Sequence, residues 1–223
     1  MIRVLLADDE PLIRAGVRAV LAADPEIDVV AEAADGREAV ERVRSHRPDV
    51  ALLDIVMPRM DGLSAAAEIR AGVPSTGVLM LTTFAEDEYI ARALGSGASG
   101  FLLKLGAPAE LHAAVRAVAD GAAFLSPQIA HRVIRALTTG GAGGRMTRAA
   151  RAREQVDALT PREREVLALV GAGASNAEIA RRLHVVEGTV KVFVSAILRS
   201  LDVRNRVQAA IIAYEAGLVD TLH

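Results

Sequence analysis

Val50-Ala-Leu-Leu-Asp54-Ile-Val-Met-Pro-Arg-Met-Asp-Gly62 is an apolar run that stops on a carboxylate, passes through a proline and restarts at Asp-Gly. The run is too short for a helix and too apolar for a half-exposed strand, so it reads as a strand buried on both faces. Asp61-Gly62 reads as a turn and helix start, and helical spacing follows over 62–71. The same unit recurs on both sides. Candidate strands lie at 2–7, 27–33, 49–53, 77–82 and 99–103, and candidate helices at 11–23, 36–46, 62–71, 86–95 and 108–119. Five β/α units in succession predict an α/β domain with a five-stranded, parallel, doubly wound sheet and helices on both faces.

In such a sheet the strand C-termini converge on one edge, where ligands bind. Asp8-Asp9 follows the first run, Asp54 ends the third, Thr82 ends the fourth, and Phe101-Leu-Leu-Lys104 closes the fifth. Four positions far apart in sequence can therefore share one pocket. Like charges there repel: two unit charges about 4 Å apart cost roughly 4 kcal/mol at an effective dielectric near 20. A hard divalent cation relieves this, and Mg²⁺ takes one or two carboxylates, waters and a phosphate oxygen. Asp54 then has the makings of a nucleophile that accepts a phosphoryl group, with Asp8 and Asp9 beside the metal. Lys104 supplies a point charge and Thr82 a hydroxyl for the phosphoryl oxygens. Taken singly, an acid at a strand end is as easily a solvated turn former; it is the combination that carries the signal. His46, His112, His131 and His184 stand alone in helical patterns and read as surface or packing residues.

Composition narrows the classes. The chain has 223 residues, 52% of them hydrophobic, and no cysteine, which excludes disulfides and thiolate metal sites. No run approaches the roughly 20 apolar residues of a membrane span, and the first apolar run is too short for a signal peptide, so a cytoplasmic location without membrane partners is expected. Residues 1–144 carry 14 Lys/Arg against 19 Asp/Glu, whereas 145–223 carry 12 against 9. A weakly acidic front and weakly basic back suit a signalling module joined to a nucleic-acid module. Only Lys104 and Lys191 are lysines, against 24 arginines, which suggests a compact point charge is needed at both places.

Beyond residue 120 a helical piece, 127–137, opens on Pro127 and leads to the glycine-rich 138–144, a flexible linker by composition. Residues 145–156 read as helical or disordered. The tail reads as four short helices: 161–171, 175–183, 187–201 and 205–216. Thr160-Pro-Arg-Glu163 is a capping box, and Ser175 with Glu178 repeats the arrangement. A short helix, a tight turn and a second helix make a helix-turn-helix candidate. The predicted division is 1–120, a linker 121–157 and a small all-α domain 158–223.

Residues 1–120 resemble the receiver domain of two-component response regulators, on Asp8-Asp9, Asp54 within Asp-Ile-Val-Met-Pro-Arg-Met-Asp-Gly62, Thr82 and Lys104. Residues 158–218 resemble the LuxR-type DNA-binding domain of the NarL/FixJ regulators. Here the matches are Leu159-Thr-Pro-Arg-Glu-Arg-Glu-Val-Leu167, Ser175-Asn-Ala-Glu-Ile-Ala180, Glu187-Gly-Thr-Val-Lys191, Val203-Arg204 and Tyr214-Glu-Ala-Gly-Leu218. The resemblance implies a flavodoxin-like receiver phosphorylated on Asp54 by a sensor histidine kinase. Mg²⁺ would be held by Asp8, Asp9, Asp54 and the carbonyl of Val56; Thr82, Thr83, Phe101 and Lys104 would form the phosphate-binding and switch set. It also implies a transcription factor that binds double-stranded DNA, an inverted repeat read by an active homodimer, with RNA polymerase as a further partner. The helix from Glu187 would enter the major groove. Thr189, Lys191, Val192, Ser195, Arg199, Arg204 and Arg206 would touch DNA, and the helix over 205–216 would offer a dimer face. Catalysis would be limited to self-catalysed phosphotransfer to Asp54 and autodephosphorylation.

This sequence departs from the family's usual pattern at Val56, where a polar residue is common, and at Leu105, which follows the lysine. In the recognition helix Val186 replaces a capping Ser, Phe193, Ala196 and Ser200 stand at frequently basic positions, and Asp202 replaces a Gly. Two other classes compete. An aspartate-nucleophile phosphatase would need an acid two residues beyond Asp54, where Val56 stands. A protein-interaction regulator would have lost DNA binding through the altered helix.

Overall fold

The computed structural model describes residues 1–83, 92, 95–104, 106–138 and 142–219, the side chains of 134–138 and 142–145 excepted. The expected helix over 86–95 falls almost wholly outside the described residues, as does Leu105. The chain divides into two compact units, Met1–Ala119 with Phe124–Ile129, and Asp120–Ala123 with Ala130–His223.

In the first unit β1 (Ile2–Ala7), β2 (Ile27–Ala33), β3 (Val50–Asp54), β4 (Gly77–Thr82), β5 (Gly100–Leu103) and β6 (Phe124–Leu125) form one sheet in the order β2-β1-β3-β4-β5-β6. Every pairing is parallel. The sixth strand corrects the expected five: Phe124 and Leu125 pair with Gly100 and Phe101 and cover what would have been an open edge. The sheet starts at β1, steps out to β2 at one edge, then crosses back over β1 to β3 and on to β6, so the order of winding reverses between β1 and β3. That is a topological switch point, where the loops after two neighbouring strands diverge and leave a crevice.

All five residues of β3 are buried, as the apolar run foretold. On one face α1 (Pro11–Ala22) and α4 (Pro108–Ala119) pack Leu21, Leu111, Val115 and Val118 against Val4, Leu6, Leu52, Leu79 and Leu102. Among the described residues this unit also has α2 (Gly36–His46) and α3 (Gly62–Gly72), capped by Asp35 and Asp61, whose carboxylates accept from Glu38 N and Ser64 N. Such caps each contribute about 1 kcal/mol.

The second unit is helical. It contains α6 (Ala142–Asp157), α7 (Pro161–Gly171), α8 (Asn176–Leu183), α9 (Glu187–Ser200) and α10 (Arg206–Glu215); α5 (Pro127–Thr138) leads into it. Residues 145–156, left open between helix and disorder, are helical, and Thr139–Gly141 of the expected linker lie outside the described residues. Both capping boxes form: Thr160 with Glu163, and Ser175 with Glu178. Val166, Leu167, Val170, Ile179, Val190, Ile197 and Ala213 fill the core. Ala152 and Val156 bring α6 onto it, and Arg148 pairs with Glu215 of α10 at 3.3 Å.

Candidate functional site

The crevice at the switch point holds the acids. Asp8 follows β1 and is fully buried; Asp54 ends β3 and is nearly so; Asp9 is exposed. Each of the three offers a carboxylate oxygen within 4.8 Å of the other two. Three hard oxygen donors at this spacing suit Mg²⁺ far better than a soft metal. The carboxylates are also tied down from behind. Glu10 N donates to Asp8 Oδ1 at 3.0 Å and Ile55 N to Asp54 Oδ1 at 2.7 Å, which leaves each Oδ2 facing the crevice's cation.

That cation is Lys104, at the end of β5. Its Nζ lies 2.7 Å from Asp8 Oδ2 and 2.9 Å from Asp54 Oδ2. One ammonium thus bridges the two buried acids. Burial pushes the Asp54 carboxyl above its ordinary pKa and the Asp8 charge adds to this; Lys104 and the Ile55 amide oppose it without reversing it. Burial alone would lower the Lys104 ammonium, but its ion pair with Asp8 and its hydrogen bond to Asp54 together raise it, so the lysine stays charged. The lysine is held from its own side by Lys104 N donating to Thr82 O at 2.7 Å.

Thr82 is buried at the end of β4, and the ring of Phe101 on β5 is fully buried, turned into the protein. Thr83 is exposed, and with Lys104, Leu12, Ile13 and Leu111 it lines a mostly apolar cavity of about 310 Å³ beside the crevice. Val56 is exposed at the mouth. The loop that carries it is anchored where Gly62 N donates to Ile55 O at 2.9 Å, and a side chain at Gly62 would stand 1.8 Å from Asp54 O. Only glycine lets α3 start so close to the reacting strand end.

In the second unit, α7 and α8 precede α9, whose exposed stripe is Gly188, Lys191, Val192, Ser195 and Arg199. This is one helical face, and three of its members were expected at a nucleic-acid interface beside Arg199. Thr189 is half-buried. Ser195 Oγ donates back to Lys191 O at 2.8 Å, and Arg204 is exposed. Arg206 differs from the expected phosphate contact. It is 5% exposed, with Nη1 donating to Asn176 Oδ1 at 2.9 Å and Nη2 to Ala174 O. Burial lowers its pKa to about 10. It ties the start of α10 to the turn before α8, a structural task that sequence cannot separate from a surface one. Arg181 and Arg182, exposed in the last turn of α8, are basic groups just ahead of α9 in sequence that the sequence reading passed over. Their signal was a pair of cations one turn before the recognition helix.

The altered cap behaves as the residues imply. Val186 has the extended backbone of an N-cap but makes no side-chain cap bond. Asp202 holds a left-handed φ of 53°, where glycine would cost nothing. Phe193 packs against the core instead of facing outward. On α10 Val207 is buried and Ile211 and Ile212 are half-buried, so much of the suggested dimer stripe serves this unit's own packing, while Tyr214 is exposed.

Comparison with known proteins agrees over nearly the whole length. Residues 4–116 match the family described as response regulator receiver domain, and residues 157–213 the bacterial regulatory proteins of the luxR family. The transcriptional regulatory protein YxjL of Bacillus subtilis is 38% identical over 98% of this chain and 97% of its own. The response regulator VraR of Staphylococcus epidermidis is 36% identical over 98% of this chain and 99% of its own. Among solved structures, the response regulator ChrA of a heme-sensing two-component system is 34% identical, covering 97% of this chain and 98% of that one, with a TM-score of 0.53.

Proposed function

Since the chain belongs to the response-regulator transcription factors that join a receiver domain to a LuxR-type DNA-binding domain, we propose that phosphorylation of Asp54 controls its binding to DNA. The observation that carries this reading is the shared ammonium: Lys104 Nζ within hydrogen-bond reach of both Asp8 and Asp54 at the switch point of the sheet. An aspartate so placed is buried on its protein side and open to a phosphodonor at the crevice.

The Asp54 carboxylate attacks the phosphorus of a kinase phosphohistidine; the new O–P bond forms as the P–N bond breaks, and the imidazole leaves with a proton. Lys104 offsets charge on the phosphoryl oxygens, and the Thr82 hydroxyl donates to one of them. Asp8, Asp9, Asp54 and the Val56 carbonyl would hold Mg²⁺, which neutralises the anionic phosphoryl group and the acids around it. Thr82 and Thr83 at the end of β4, the inward Phe101 on β5 and Lys104 just after β5 would act as the switch set. Phosphorylation then shifts a two-state equilibrium of the receiver towards a state that dimerises.

The partners in this reading are a sensor histidine kinase, an inverted repeat in double-stranded DNA, a second copy of the chain and RNA polymerase, all in the cytoplasm. Among the described residues no helix is long and apolar enough to cross a membrane. Beyond self-phosphorylation and autodephosphorylation the protein is no enzyme: Val56, two residues past Asp54, has no proton to give a leaving group. Thr189, Lys191, Val192, Ser195, Arg199 and Arg204 meet the DNA.

Selection from random DNA by the full-length protein tests this, with Mg²⁺ alone and with Mg²⁺ plus beryllofluoride as a phosphoryl mimic. An inverted repeat enriched only with the mimic is the expected result. Equal enrichment without it would refute control by phosphate, and no enrichment in either would favour a regulator that acts on protein partners.

A further inference from the structure

The loop between β3 and α3 has a second anchor, remote from the acids. Asp35, the cap of α2, is fully buried; its Oδ1 accepts from Glu38 N at 2.9 Å, and its Oδ2 has no hydrogen-bond partner. Among the described residues, the charge that meets this oxygen is the Arg59 guanidinium, an ion pair in which Asp35 is 1% and Arg59 66% exposed. Arg59 itself holds a φ of 63°, the left-handed region that arginine seldom enters. A non-glycine residue stays there when its surroundings over-determine it.

The next residue is pinned as well. Gly36 N donates to Met60 O at 3.0 Å, and a side chain at Gly36 would stand 2.5 Å from that oxygen. Residues 56–58 are therefore strung between two fixed points: the Gly62–Ile55 bond at Asp54, and the Arg59–Met60 contact with the start of α2. Val56, whose carbonyl is the backbone ligand of the proposed Mg²⁺ site, lies between them.

We propose that Arg59 is a positioning residue for the Mg²⁺ site: its ion pair with buried Asp35 holds the β3–α3 loop, and so the Val56 carbonyl, in the geometry the metal requires. This rests on the phosphoacceptor reading of the crevice. Neither side chain touches the acids, so their effect travels through the loop backbone. Loss of the pair strands a buried carboxylate oxygen and frees a left-handed residue to return to ordinary backbone angles, which moves Met60 and the loop before it.

The test is calorimetric titration of Mg²⁺ into the full-length protein without a phosphodonor, alongside thermal unfolding. Outer-shell groups of metal sites typically govern about 10–100-fold in affinity, so Arg59→Ala is expected to weaken Mg²⁺ binding about tenfold. Arg59→Gly, which adopts the left-handed angle freely and folds without strain, is expected to lose as much, because the anchor and not the angle is missing. Arg59→Lys keeps a cation for Asp35 and is expected to keep most of the affinity. With acetyl phosphate as donor, Arg59→Ala should need more Mg²⁺ for half-maximal phosphorylation while its rate at saturating Mg²⁺ recovers; a purely structural role would lower the active fraction at every Mg²⁺ concentration. Equal Mg²⁺ affinity in wild type and Arg59→Ala, or full affinity in Arg59→Gly, overturns the inference and leaves the phosphoacceptor reading intact. A wild-type protein that binds no Mg²⁺ overturns both.

Discussion

Replacing Lys104 by methionine should destabilise the protein without Mg²⁺ and make its stability strongly Mg²⁺-dependent. The ammonium stands 2.7 Å from Asp8 Oδ2 and 2.9 Å from Asp54 Oδ2, with the three side chains 5%, 0% and 8% exposed. Methionine fills similar space but leaves two buried acids with no cation. Removing one partner of a buried ion pair costs about 3–5 kcal/mol. Part of this is recovered by protonating one acid, and Asp54, whose carboxyl is already raised by burial, is the one to take the proton. A loss of about 3 kcal/mol follows, or roughly 10 °C in the melting temperature of a unit this size. A metal that binds only the folded state at 100 times its Kd returns about 2.7 kcal/mol. Thermal unfolding with chelator and with excess Mg²⁺ measures both arms. Wild type should gain less from Mg²⁺ than the variant does, since Lys104 already offsets the same charges. Adding Asp54→Asn to Lys104→Met should restore stability in chelator, because one of the two stranded charges is gone. A variant that melts with wild type in chelator, or gains no more from Mg²⁺, would refute the idea that Lys104 stands in for a metal between these acids.

Three changes in the second unit separate capping, reading and holding. Val186→Ser places a hydroxyl at an extended position already suited to capping and should stabilise this unit by about 1 kcal/mol, seen in thermal unfolding, with tighter DNA binding at low salt. Lys191→Ala should lower the slope of log affinity against log salt by about 1, as for one lost phosphate contact. Arg206→Ala should leave that slope unchanged and instead cost about 1–3 kcal/mol of stability, because Asn176 and the Ala174 carbonyl lose a buried donor.

What the sequence showed and what it hid follow from the range of the forces involved. Strand ends are local: an apolar run that stops on Asp54 or Lys104 marks its own boundary, and parallel topology then brings the ends together. The helix caps are local too, and Thr160 with Glu163 and Ser175 with Glu178 are where their spacing put them. A strand of two residues has no period to detect, so β6 was invisible; it exists because the β5 edge offered Gly100 and Phe101 as partners. Helix α6 was ambiguous because, among its described side chains, only Ala152 and Val156 are buried, too few for an apolar stripe. Arg206 and the Asp35–Arg59 pair were hidden for one reason: a sequence prints a charge but not the burial that decides what the charge is for.

The scarcity of lysine takes on meaning beside these geometries. Arginine is used here where two acceptors lie side by side: Arg116 donates to Asp24 and Glu26 from its two terminal nitrogens, and Arg206 reaches Asn176 and Ala174 in the same way. A planar fork suits that task. At the crevice the acceptors are single oxygens from two different strand ends, each with its other oxygen already held by a backbone amide. They converge on one point, and only a compact ammonium can sit at it while leaving room for a phosphoryl group. The composition therefore marked the position where shape rather than charge sets the choice of cation, and the structure supplies the two distances that make the choice necessary.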